Sequence, residues 1–102
     1  MAKLVEVCKT DEIPTGTMKG FKVEGKEILV ANYEGKYYAT GKKCTHMGGD
    51  LSKGKLEGRI VTCPRHGSQF DVTTGNFVKG PAKKNAPSYE VKVEDQSIKV
   101  SI

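Results

Sequence analysis

The sequence predicts an all-β chain, an antiparallel β-sandwich or partial barrel with a smaller loop-rich lobe, and three observations carry that prediction. Twelve glycines punctuate the 102 residues and leave only short apolar stretches between them. The C-terminal part alternates apolar and polar residues with a period of two, the spacing that puts one face of a strand on a core. No stretch repeats its apolar residues with the 3.6-residue period of an amphipathic helix.

The elements follow in order. Leu4–Val7, Phe21–Val23, Glu27–Ala31 and Lys36–Ala39 read as strands. Glu24-Gly25-Lys26 and Glu34-Gly35-Lys36 are the tight turns between them. Arg59–Thr62 forms a short strand that runs into Cys63. Tyr89, Val91 and Val93 share one face, with Glu90, Lys92 and Glu94 on the other. After a turn at Asp95-Gln96, Ile98, Val100 and Ile102 alternate in the same way. The region from about 41 to 71 differs in texture. It is rich in Gly, Lys, Cys and His and reads as loops around two short strands, a lobe inserted into the β base. Residues 80–88 carry Pro81 and Pro87 and read as a surface connection.

Length and composition bound the function. A chain of 102 residues suits one domain, 1–102, with 36% apolar and 28% charged residues. No apolar run approaches the roughly 20 residues that span a bilayer. Met1–Glu6 lacks the apolar stretch of a signal peptide, so a cytoplasmic protein without a membrane partner is expected. The net charge of +5 comes from lysines spread along the chain, with no nucleic-acid-binding motif beside them. Three cysteines are too few for a disulfide framework.

Both histidines of the chain lie beside a cysteine, in Cys44-Thr45-His46 and Cys63-Pro64-Arg65-His66. Each pair stands next to glycine, Gly48 and Gly49 in one case and Gly67 in the other. Glycine lets a backbone turn sharply and bring its N–H groups near an anionic inorganic centre, and Pro64 stiffens the second loop. Two Cys and two His suit zinc or an iron–sulfur cluster. Zinc sites usually pair Cys with Cys and His with His. Here each loop offers one of each, which favours a binuclear centre held between two fingers.

The runs Cys-Thr-His-Met-Gly-Gly-Asp-Leu (44–51) and Cys-Pro-Arg-His-Gly-Ser-Gln-Phe-Asp (63–71), with Gly75 and the strand-rich flanks, resemble the Rieske iron–sulfur family over nearly the whole chain. The resemblance implies one 2Fe–2S cluster with Cys44, His46, Cys63 and His66 as ligands. Gly48, Pro64 and Gly67 then shape the cluster-binding loops, Met47 and Leu51 shield the cluster from water or simply pack under the loop, and Ser68 donates a hydrogen bond to a cluster sulfur. Quinol-oxidising members carry an extra cysteine in each loop, where this chain has Gly49 and Arg65, and a tyrosine where it has Phe70. The likeness is therefore to the soluble ferredoxins that feed oxygenases, or to a stand-alone relative: an electron carrier with a reductase as donor and an oxygenase or other redox enzyme as acceptor, and a monomer as expected of a diffusing carrier.

Two neutral imidazoles in place of two thiolates take the site from zero charge to minus one on reduction, which raises the potential into the family window of roughly −150 to +300 mV. Without the tyrosine donor and the disulfide, a value near the lower end is expected. The potential should also fall as pH rises through the histidine ligands. Lys42, Lys43, Lys53, Lys55 and Arg65 form a basic rim suited to an acidic docking partner. Cys8 reads as a small buried hydrophobe. A terminal oxygenase would need a further metal site that two histidines, both already used, do not supply.

Overall fold

The computed structural model describes residues 3–43, 50–64, 67–80 and 85–102. It contains three antiparallel sheets and two single turns of 3₁₀ helix, with no α-helix among the described residues. The first sheet has the order β1-β11-β10, from Leu4–Lys9, Ser97–Ser101 and Val91–Glu94. The second has the order β2-β3-β4-β9, from Met18–Val23, Lys26–Tyr33, Lys36–Gly41 and Ser88–Tyr89. The third has the order β5-β6-β7-β8, from Lys55–Glu57, Ile60–Thr62, Gln69–Asp71 and Phe77–Lys79. None closes on itself, so the all-β sandwich expectation holds in its open form.

Three hairpins are closed by the two-residue turns expected from sequence. Glu24-Gly25, Glu34-Gly35 and Asp95-Gln96 all have φ between 48° and 85°. Positive φ at both central residues gives the turn whose twist matches a β-hairpin. Asn32 supports the second turn: its buried amide donates to Ile13 O at 2.9 Å and its oxygen accepts from Gly35 N.

β3 is the shared wall of the molecule. Its alternate side chains leave on opposite faces. Ile28 and Val30 join Cys8, Ile13, Val23, Ala39, Ile98 and Val100 in one core, facing the first sheet. Leu29 and Ala31 join Leu51, Val61, Cys63, Phe70, Val72 and Ala86 in a second core, under the third sheet. Burying each large aliphatic side chain contributes roughly 1.5–3 kcal/mol. β3 thus ties both lobes together with four fully buried residues.

Two features differ from the sequence reading. The alternating run Tyr89–Glu94 is not one strand. Ser88–Tyr89 pairs with β4, whereas Val91–Glu94 pairs with β11, and the chain changes sheet at Glu90. Periodicity is blind to such a crossing because the alternation continues through it. Val93 sits on the edge strand β10 and is 46% exposed, although it lies on the apolar side of the pattern. The 80–88 connection is also not all surface. Ala86 is buried, its N–H donates to Gly75 O at 2.7 Å, and Pro87 O accepts from Gly41 N at 2.8 Å. Residues 81–84 of that segment lie outside the described residues.

Candidate metal centre

β6 delivers Cys63 to the end of the third sheet, paired through Thr62 to Gln69 of β7. The chain then folds back at once. Cys63 N donates to Ser68 O at 2.7 Å and Gly67 N donates to Cys63 O at 3.2 Å. Gly67 has φ +78°, in the left-handed region that suits glycine. Cys63 is 3% exposed and Ser68 is fully buried, while Pro64 and Gly67 face solvent. Two of the predicted site residues are thus held close to the core by a backbone clasp. His66, with Arg65, lies outside the described residues.

The other finger is closed at its base. Lys43 and Asp50 form an antiparallel bridge, and Leu51 N donates to Lys42 O at 2.8 Å. The segment between them, Cys44–Gly49, holds the predicted ligands Cys44 and His46 together with Met47 and Gly48, and lies outside the described residues. Asp50 then caps the 3₁₀ turn Leu51–Lys53 by accepting from Ser52 N at 3.0 Å and from its hydroxyl. Leu51 is fully buried in the same core as Val61, Cys63 and Phe70. The exit of the first finger and the entry of the second are therefore packed on one another. A groove of about 310 Å³ runs along this junction, lined by Lys53, Gly54, Lys55, Thr62, Cys63 and Pro64.

Electrostatics divide the basic residues seen in the sequence. Lys42 Nζ lies 3.5 Å from Glu27 and 3.6 Å from Asp50, and Lys43 Nζ lies 3.0 Å from Glu27. These two lysines and two carboxylates sum to no net charge, so Lys42 and Lys43 are not free members of a basic rim. Lys43, through its hydrogen bond to Glu27, holds the Glu27 carboxyl below its ordinary pKa. Burial alone would raise Asp50, but the Ser52 hydrogen bonds and the Lys42 and Lys53 charges bring it below its ordinary value. Lys53 and Lys55 are exposed and form no ion pair among the described residues. Arg65 lies outside the described residues.

Two glycines important to this geometry carried no signal in the sequence, and the role of Asp50, which stands there only as part of a motif, was not legible. A Cβ on Gly54 would strike Thr62 O and press on Pro64 Cδ at 3.2 Å. One on Gly20 would come within 2.6 Å of Lys42 Cδ. Asp50 is an ordinary carboxylate until the bridge and the cap are seen. Gly75, by contrast, was picked out by resemblance, and its reason is now visible: φ +84°, with Ala86 O where a Cβ would stand. Cys8 is in the other core, where burial, reinforced by the charge of Glu12, pushes its thiol up to about 11. It shares no packing cluster with Cys63.

Known proteins match this arrangement over almost the full chain. Residues 3–90 match the model of the Rieske [2Fe-2S] domain. The ferredoxin component of a naphthalene 1,2-dioxygenase system from Pseudomonas aeruginosa is 40% identical over 100 residues, covering 98% of this chain and 96% of the relative. The ferredoxin component of the naphthalene 1,2-dioxygenase/salicylate 5-hydroxylase systems of a Ralstonia species is 42% identical, covering 92% of this chain and 90% of the relative. Among solved structures, the ferredoxin of carbazole 1,9a-dioxygenase from Nocardioides aromaticivorans superposes with a TM-score of 0.92 at 29% identity, covering 95% of both chains. A cysteine buried at the mouth of one finger, a second finger closed beside it, and likeness along the whole length lead to one conclusion: the chain belongs to the Rieske [2Fe-2S] ferredoxins, electron carriers with one Rieske-type cluster.

Proposed function

We propose that this chain carries single electrons from a reductase to a terminal oxygenase, as a cytoplasmic monomer, on a cluster held by Cys44, His46, Cys63 and His66. Chain 1–102 acts as one domain in this reading, with the region of about 41–71 as the cluster lobe. The observation that carries it is the convergence of the two fingers, whose bases share the core around Leu51 and Cys63. When bound, the cluster supplies a site that takes up and returns one electron. The Cys63 sulfur is screened from water and anchored by the clasp to Ser68 O. Ser68, fully buried beside Cys63, is assigned as the donor to a cluster sulfur on the strength of its place in the Cys-Pro-Arg-His-Gly-Ser run. Gly67, at φ +78°, gives the second loop its turn, Pro64 stiffens it, and Met47 is assigned to shield the cluster from water. Among the described residues no helix is long and apolar enough to cross a membrane.

The docking partner is acidic and meets the groove flanked by Lys53 and Lys55. Those lysines line the groove beside Cys63 and form no ion pair among the described residues, while Lys42 and Lys43 do. Small oxidants of opposite charge test both statements. Ferricyanide and tris(phenanthroline)cobalt(III) should each remove one electron per chain from the reduced protein. Lys53→Gln with Lys55→Gln should slow the anionic oxidant about tenfold at low salt, leave the cationic one no slower, and lose the effect at high salt. Lys43→Gln should change the ratio of the two rates far less. An unchanged ratio in the double variant contradicts the docking reading; a yield other than one electron contradicts the carrier reading.

A further inference from the structure

We propose that Lys42 is a positioning residue that fixes the ligand-bearing segment 44–49 by clamping both of its ends to the β base. The inference rests on the ligand assignment proposed above. Four observations carry it. The Lys42 ammonium reaches Glu27 Oε1 on β3 at 3.5 Å and Asp50 Oδ2 at 3.6 Å, so one cation joins the strand before the segment to the residue after it. Its side chain is only 20% exposed, against 66% for Lys43. Its stem lies on β2 at Gly20, where a Cβ would come within 2.6 Å of Lys42 Cδ and 2.8 Å of Ser52 Oγ. Its backbone is also engaged at both atoms: Lys42 N donates to Glu27 O at 3.1 Å and Lys42 O accepts from Leu51 N at 2.8 Å.

A fully exposed ion pair is worth about 0–1 kcal/mol, because each partner keeps its water and loses side-chain freedom. Lys42 departs from that case. Its stem is packed, its head has two partners, and Asp50 is already immobilised by the Ser52 cap. The ammonium therefore meets carboxylates that are held in place, and the entropy that weakens surface pairs is largely spent before the pair forms. The segment of six residues, 44–49, starts two residues after Lys42 and is followed at once by Asp50, the clamp's other partner. Fixing both flanks of a ligand-bearing segment lowers the entropy lost when its ligands close on a cluster, which favours retention of that cluster between two fingers.

The test is release of iron from the oxidised holoprotein to an excess of chelator. Lys42→Met keeps the stem and removes the charge, and should release iron about tenfold faster than the parent. Lys42→Arg should return the rate to within about threefold. Gly20→Ala displaces the stem without touching the charge and should act in the same direction. Combined with Lys42→Met it should add less than it does alone, because the two share the contact with the Lys42 stem and only the approach to Ser52 Oγ is separate. Ile98→Val, in the opposite core, lowers overall stability by about 0.5–1.5 kcal/mol and serves as the control: it should leave both the release rate and the line shape of the reduced cluster's electron paramagnetic resonance unchanged, whereas Lys42→Met should alter both. A Lys42→Met protein that releases iron at the parental rate, or no faster than Ile98→Val with the same line shape, overturns the clamp. Should Lys42→Met fail to fold, an unchanged rate in Gly20→Ala overturns it equally. A parent protein that holds no iron overturns the ligand assignment instead.

Discussion

Gly54→Ala is expected to be among the most damaging single-methyl changes in this protein, costing about 3 kcal/mol of stability and most of the bound iron. The new Cβ would overlap the carbonyl oxygen of Thr62 and lie 3.0 Å from its carbon. Neither is the end of a flexible side chain. Relief requires moving β6 or the 3₁₀ turn Leu51–Lys53, and these are the supports of the two fingers. For a domain of about 100 residues, 3 kcal/mol lowers the melting temperature by about 12–24 °C. Gly35→Ala is the comparison. That glycine has φ +85° but open space around it, so only backbone strain of about 1–2 kcal/mol is added. Thermal melts and iron content of the two variants check the order. Equal losses, or a Gly54→Ala protein that keeps its iron, contradict the packed junction.

The second large effect separates two cysteines that burial alone does not distinguish. Cys8 is 6% exposed and Cys63 is 3% exposed. Serine nearly preserves the volume of either, but an alkoxide oxygen is a harder ligand than thiolate and a poor partner for iron in a sulfide cluster. Cys63→Ser should reduce cluster content more than tenfold, with loss of visible colour. Cys8→Ser should keep the full cluster and lose only about 1–3 kcal/mol, the cost of placing a hydroxyl among Ile13, Ile98 and Val100. Iron and sulfide analysis against the melting temperature settles the comparison. Cluster loss in both variants, or in neither, contradicts the assignment of Cys63.

The reach of the sequence differs from element to element, for physical reasons. Hairpin turns were legible because a two-residue turn with positive φ selects glycine, as at Gly25 and Gly35, and even Asp95-Gln96 stood out between two alternating strands. The Cys-His pairs were legible because ligand chemistry restricts residue type and spacing. The crossing at Glu90 was not, since alternation says which face is apolar and nothing about which sheet receives the strand. Two members of the basic rim, Lys42 and Lys43, were misread for a related reason. Lys42 and Lys43 meet Glu27 across a strand pair, and a contact 15 or 16 residues away leaves no local pattern. Gly20 and Gly54 look like any other glycine until the atoms opposite them are known.

The central claim is that two thiolates and two imidazoles from separate fingers share one binuclear site. The most direct measurement is low-temperature electron paramagnetic resonance of the dithionite-reduced protein, with nitrogen couplings resolved by pulsed methods and iron and sulfide counted on the same sample. The expected result is one unpaired-electron signal per chain with coupling to two imidazole nitrogens, and equal amounts of iron and inorganic sulfide. A colourless zinc-bearing protein, or a cluster signal without nitrogen coupling, contradicts it.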